Sequence, residues 1–187
     1  MRYLATVIAT AALLAWGAPG AAQTFGFGAH AGVSIPTGDY GDVASTGFSG
    51  GLDFTFPLTM VSPAVSWYTS ADAIGHSADN DDLDGGFLYF PVMTGVRLDV
   101  GALGTLRPFA TGQLGVAFAR GPDIGTASAE TGTQFGFAVG GGLQLTPNIY
   151  AGAKWFNLGD VDFGYDGLDD QTLSVSFIDI YLGFGVR

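Results

Sequence analysis

The chain has 187 residues, of which 31 are Gly, 15 Phe, 7 Tyr and none Cys, and only 12% are Asp, Glu, Lys or Arg, about half the usual charged share. Gly at this density without a three-residue period excludes a collagen, 48% hydrophobic content excludes a disordered chain, and the paucity of charge argues against a helical cytosolic enzyme. Seventeen acids against six bases, a formal charge of −11, exclude the basic surface that nucleic acid requires, and without cysteine there is no disulfide or thiolate metal site.

In chain order, residues 1–22 read as a secretory signal. Met1 and Arg2 supply the positive start, Leu4 to Trp16 the apolar run, and Ala18-Pro19-Gly20-Ala21-Ala22 the small residues for cleavage. A single-pass anchor is the alternative, but the run is shorter than the ~20 apolar residues that cross a bilayer. Residues 23–187 form the second unit, and no later segment is continuously apolar over a helix length, so any membrane crossing must use strands.

From Gln23 the dominant period is two, with eight alternating segments at about 24–35, 47–57, 63–74, 86–98, 105–119, 134–145, 149–158 and 173–186. In the first, Phe25, Phe27, Ala29, Ala31, Val33 and Ile35 share one face, and Gly26, Gly28, His30, Gly32 and Ser34 the other. The bulky face continues through residues such as Leu52, Trp67, Phe90, Leu114, Phe137, Trp155, Ile180 and Phe184. The opposite face carries Asp53, Asp72, Tyr89, Arg97, Arg107, Gln113, Lys154 and Asp179 among small residues. In the last segment Leu173, Val175 and Phe177 are odd while Ile178, Ile180 and Leu182 are even, which predicts a bulge near Phe177. With these boundaries the connections alternate in length, 11, 5, 11, 6, 14, 3 and 14 residues, and 13 of the 17 acids fall in the four long ones. Short turns on one side, long loops on the other and an uncharged bulky face fit strands whose outer surface meets lipid.

The stretches Ser34-Ile35-Pro36-Thr37-Gly38-Asp39-Tyr40, Tyr89-Phe90-Pro91-Val92, Arg107-Pro108-Phe109 with Gly112 and Gly115, Gly140-Gly141-Gly142, and Tyr181-Leu182-Gly183-Phe184-Gly185-Val186 together resemble the small eight-stranded outer-membrane β-barrel family of Gram-negative bacteria (OmpA/OmpX-like). The resemblance implies an all-β fold, an eight-stranded antiparallel up-and-down transmembrane β-barrel in the cell outer membrane, with both termini in the periplasm. It also implies outer-membrane lipid as surroundings and the barrel assembly machinery as a partner. The latter reads the last strand, here Tyr181, Gly183, Phe184 and Val186; the family usually ends in an aromatic residue, whereas this chain ends in Arg187.

Eight strands enclose an interior just wide enough to be filled by side chains. Inward Asp53, Arg97, Arg107, Lys154 and Asp179 form either an anion-selecting cation cluster or an internal ion-pair network, and the pairing that desolvated charge demands favours the network. A serine hydrolase would need a nucleophile beside a positioned His. His30 lies four positions from Ser34, about 13 Å at strand rise, and His76 adjoins Ser77 in a predicted loop, so no pair is recognisable in the sequence. Asp79, Asp81, Asp82 and Asp84 make a dense acidic loop that could attract divalent cations. Asn80, Asp82, Asp84 and Gly85 match the start of a calcium loop, but its twelfth position is Pro91 rather than a bidentate Glu, and a solvated acidic loop is the plainer reading.

No cofactor is expected. The expectation is a monomeric surface protein with a structural or interaction role. A small channel or transporter for ions or apolar solutes is the alternative, and a lipid-modifying enzyme or a soluble secreted β-sandwich ranks below it.

Overall fold

The computed structural model describes residues 25–79, 83–124, 131–163 and 171–186; the predicted signal segment and Arg187 lie outside them. Eight long strands, β1 (Gly26–Thr37), β2 (Gly47–Pro57), β3 (Val65–Ser77), β5 (Gly86–Asp99), β6 (Arg107–Arg120), β8 (Thr131–Gln144), β9 (Ile149–Phe163) and β10 (Gln171–Val186), follow one another with antiparallel neighbours. β10 returns to pair with β1 from Phe27↔Val186 to Thr37↔Ser176, which closes the barrel. Two further strands of two residues, β4 (Leu83–Asp84) and β7 (Asp123–Ile124), pair with each other outside it.

Alternation in the sequence becomes alternation between two solvents. Phe27, Val33, Leu52, Trp67, Phe90, Leu114, Phe137, Trp155, Ile180 and Phe184 all stand exposed on the outer wall, a large contiguous apolar band that water would penalise and lipid does not. Away from the rims the inward row of each strand is buried or half-buried.

Six strands run further than the sequence predicts at the end away from the chain termini: β1 to Thr37, β3 to Ser77, β6 to Arg120, β8 from Thr131, β9 to Phe163 and β10 from Gln171. The long connections are correspondingly shorter than expected. We call this the loop end, and the opposite one, with the connections 58–64, 100–106 and 145–148, the turn end.

The predicted bulge exists but sits on the neighbouring strand. β10 keeps one phase, with Val175, Phe177, Asp179 and Tyr181 all buried. The register shift lies between Val175↔Gly159 and Ser176↔Asn157, so the extra residue is Leu158 on β9. Gly159 adopts φ 65, a left-handed conformation open to Gly without a Cβ penalty, and β9 turns Phe156 and Leu158 inward before it, Val161 and Phe163 after it. The apparent phase change in β10 is instead a change in what the lumen is made of.

Candidate functional site

The lumen is filled in layers. At the loop end the inward rows are apolar: Ile74, Phe87, Met93, Ala117, Phe156, Leu158, Val161, Phe163, Val175 and Phe177 pack as one cluster. A 3-10 turn, Gly38–Asp42, drops the fully buried Tyr40 into this cluster from above. Its ring meets Phe87, Tyr89 and His76 edge-on at centroid distances of 5.3, 5.8 and 5.3 Å, the arrangement aromatic quadrupoles favour. Its hydroxyl bonds His76 Nδ1 at 2.9 Å, and His76 Nε2 bonds Ser34 Oγ at 2.9 Å.

Below lies a charged layer centred on His30. Its Nδ1 reaches Asp53 Oδ2 at 2.9 Å and its Nε2 reaches Asp72 Oδ1 at 2.8 Å. Ionised carboxylates only accept, so both ring nitrogens donate and His30 is the cation between two anions. Asp53 also accepts from Tyr68 Oη at 2.5 Å and from Tyr150 Oη. Asp72 also accepts from Ser70 Oγ at 2.9 Å and lies 3.5 Å from Lys154 Nζ. Ser70 in turn accepts from Lys154 Nζ at 3.1 Å and Gln113 Nε2 at 3.2 Å, which uses its one donor and both lone pairs. Two cations balance two anions, and each carboxylate has three donors. That is the condition under which buried charge is tolerated.

The sequence-predicted members divide accordingly. Asp53 and Lys154 belong to the network, as does Asp72, which the alternation also turns inward. Asp179 is fully buried and accepts from Ser49 Oγ; it stands opposite Lys154 in the β9–β10 register but its Oδ2 is without a hydrogen-bond partner. Arg97 forms a separate turn-end layer. Its guanidinium stacks 3.6 Å over the Phe109 ring, and its Nε donates to Asp99 at 3.1 Å. Arg107 is a correction: it has inward parity but occupies the first position of β6, where the wall ends, and is exposed. Its charge is solvated at the rim and needs no partner.

His30, the hub, is missing from the predicted network because sequence separations of 23 and 42 residues conceal cross-strand contacts. A register count could have found it: His30 faces Gly51 on β2, which faces Asp72 on β3. The same blindness left Ser34 without a recognisable histidine partner, whereas the structure joins it to His76.

Of the acidic loop, Asp79 is exposed and accepts from Ser45 Oγ at 3.1 Å, and Asp84 faces Asp123 across the β4–β7 pair; Asp81 and Asp82 lie outside the described residues. Among the described residues no three acidic or His side chains converge on a point that could hold a metal ion. In the last strand Tyr181 and Gly183 face inward, while Phe184 and Val186 are exposed on the outer wall. A Cβ on Gly183 would lie 2.2 Å from the Tyr150 ring, so this glycine makes room for the tyrosine that caps Asp53.

This architecture has known counterparts. The chain is similar to Neisserial surface protein A, with 17% identity over 87% of this chain and 96% of that one and a TM-score of 0.61. It is also similar to the outer membrane protein OprG from Pseudomonas aeruginosa, with 12% identity over 88% and 97% and a TM-score of 0.56. At such identities the likeness concerns the fold. No curated protein matches the sequence. The family model described as outer membrane protein beta-barrel domain matches residues 8–186, nearly the whole chain, and with a closed eight-strand barrel, a lipid-compatible wall and a filled lumen in place, the chain belongs to the outer membrane protein β-barrel domain family.

Proposed function

We propose that the protein is a non-conducting barrel of the bacterial outer membrane that acts through its exposed loop end, in a structural or surface-interaction role. The observation that carries this is the filled lumen. Tyr40 and the apolar cluster, then the His30 layer, then Arg97 on Phe109 occupy it in succession, and the cavity between Asp53, Arg97 and Tyr150 measures only about 10 Å³, the space of one water.

The remaining contacts follow from the surface. Lipid covers the wall, the last strand engages the assembly machinery, and the acidic loops meet envelope components, divalent cations or host surfaces. The proposed role is not catalytic. Ser34 and His76 are hydrogen-bonded, but Ser34 is fully buried and His76 Nδ1 is held by a phenol rather than by a carboxylate that would stabilise an imidazolium.

Planar bilayers test the proposal. Protein refolded to its heat-modifiable form adds no conductance above the bare membrane; reproducible unitary steps would establish the channel reading instead.

A further inference from the structure

Tyr40 occupies its position differently from the strand residues around it. They belong to the wall, whereas Tyr40 reaches the lumen from a five-residue turn. Its neighbours Asp39, Gly41, Asp42 and Val43 are all exposed. The segment leaves the barrel at Gly38, with φ 62, and the adjoining Thr37 is clasped to Ser176 by a 2.9 Å hydroxyl contact. One aromatic side chain thus fills a chamber whose walls are Phe87 and Tyr89 and whose polar groups near the phenol are His76 Nδ1 and the Tyr89 hydroxyl. Phe177 lies beneath, its ring 5.4 Å from that of His76. The charged layer follows, so the chamber is blind.

The group that fills it defines what could replace it. The aromatic wall selects a flat apolar ring by edge contacts. A buried imidazole nitrogen without a partner is costly, so Tyr40 leaves readily only if an incoming hydroxyl takes over at Nδ1. We propose that the loop-end chamber is a binding site for small phenols entering from outside, with Tyr40 as an internal ligand that they displace. The site is independent of conduction, because the charged layer below stays closed whichever phenol occupies it.

The test follows the His76 ring nitrogens by NMR in protein labelled with 15N-histidine and held in lipid nanodiscs, titrated with p-cresol, which matches the tyrosine side chain, and with toluene, which lacks the hydroxyl. The wild-type protein is expected to bind p-cresol saturably, shifting His76 and leaving His30 unchanged. Toluene is expected to bind roughly tenfold more weakly, the value of one hydrogen bond. Tyr40→Ala, checked for folding by its heat-dependent mobility, binds p-cresol more tightly because nothing must be displaced. Saturable binding by Tyr40→Ala alone would overturn the proposal, since Tyr40 would then be fixed core. Equal, unsaturable responses to p-cresol and toluene would also overturn it, as partition into the bilayer.

Discussion

Replacing His30 with Leu tests the charged layer at its hub. The substitution removes a cation that donates to Asp53 at 2.9 Å and to Asp72 at 2.8 Å and leaves two buried carboxylates facing Lys154 alone. The tyrosine donors on Asp53 and Ser70 on Asp72 remain, but the layer passes from charge balance to one excess anion. Breaking a buried pair by deleting one partner costs ~3–5 kcal/mol, a shift of about two to three and a half decades in the unfolding equilibrium. The assay is urea unfolding in lipid vesicles, followed by tryptophan fluorescence and by the mobility shift, with the slope on urea compared between variants. The double variant His30→Leu with Asp53→Asn restores one cation to one anion and should recover about 1–2 kcal/mol, the scale of coupling between contacting groups. A single variant within about 0.5 kcal/mol of wild type, the range of an ordinary surface change, would refute the network, as would a double variant that is merely additive.

Other residues separate by their surroundings. Arg107→Ala changes stability by less than about 0.5 kcal/mol because the side chain is exposed, whereas Arg97→Met costs roughly 1 kcal/mol, the worth of its cation stack on Phe109 with a half-exposed partner; the same unfolding curves rank them. Asp179→Asn keeps an acceptor for Ser49 and removes a carboxylate that no cation hydrogen-bonds, so it stays within about 1 kcal/mol of wild type, while Asp72→Asn loses bonds to two cations and costs about 2–3 kcal/mol. Gly183→Ala forces the Tyr150 ring aside and takes its hydroxyl from Asp53, a loss of ~2–5 kcal/mol from overpacking and a charged hydrogen bond together. Leu182→Ala next to it faces lipid and loses only the transfer of its side chain into hydrocarbon, about 0.8 kcal/mol per carbon removed, without touching the Tyr150–Asp53 contact.

Strand parity was legible because each outward slip would set bulk against small residues, and the faces assigned to Phe27, Trp67, Phe137 and Ile180 are those of the structure. Three things were hidden. The alternation rule takes the apolar face for the outer one, so Val175 and Phe177, which are apolar and inward, looked like a phase change rather than a plugged loop end. Parity says which way a side chain points and not how deep it lies, which is why Arg107 was grouped with Arg97. The hydrogen-bond partners of His30 and His76 depend on inter-strand register, and the period of two within a strand is silent about register between strands. Tyr40 was beyond reach for another reason: its segment has no period at all, and only the chamber below explains a buried aromatic amid exposed acids.

The account stands on the outer wall facing hydrocarbon, and two native tryptophans report on it directly. Trp67 on β3 and Trp155 on β9 both point outward, 46% and 36% exposed, and the third, Trp16, falls in the predicted signal segment. In the refolded chain 23–187, lipids brominated along their acyl chains should quench the emission of both, and the aqueous quencher iodide should leave it nearly unchanged. Strong quenching by iodide with none from the brominated lipids would place these faces in water and contradict the transmembrane barrel.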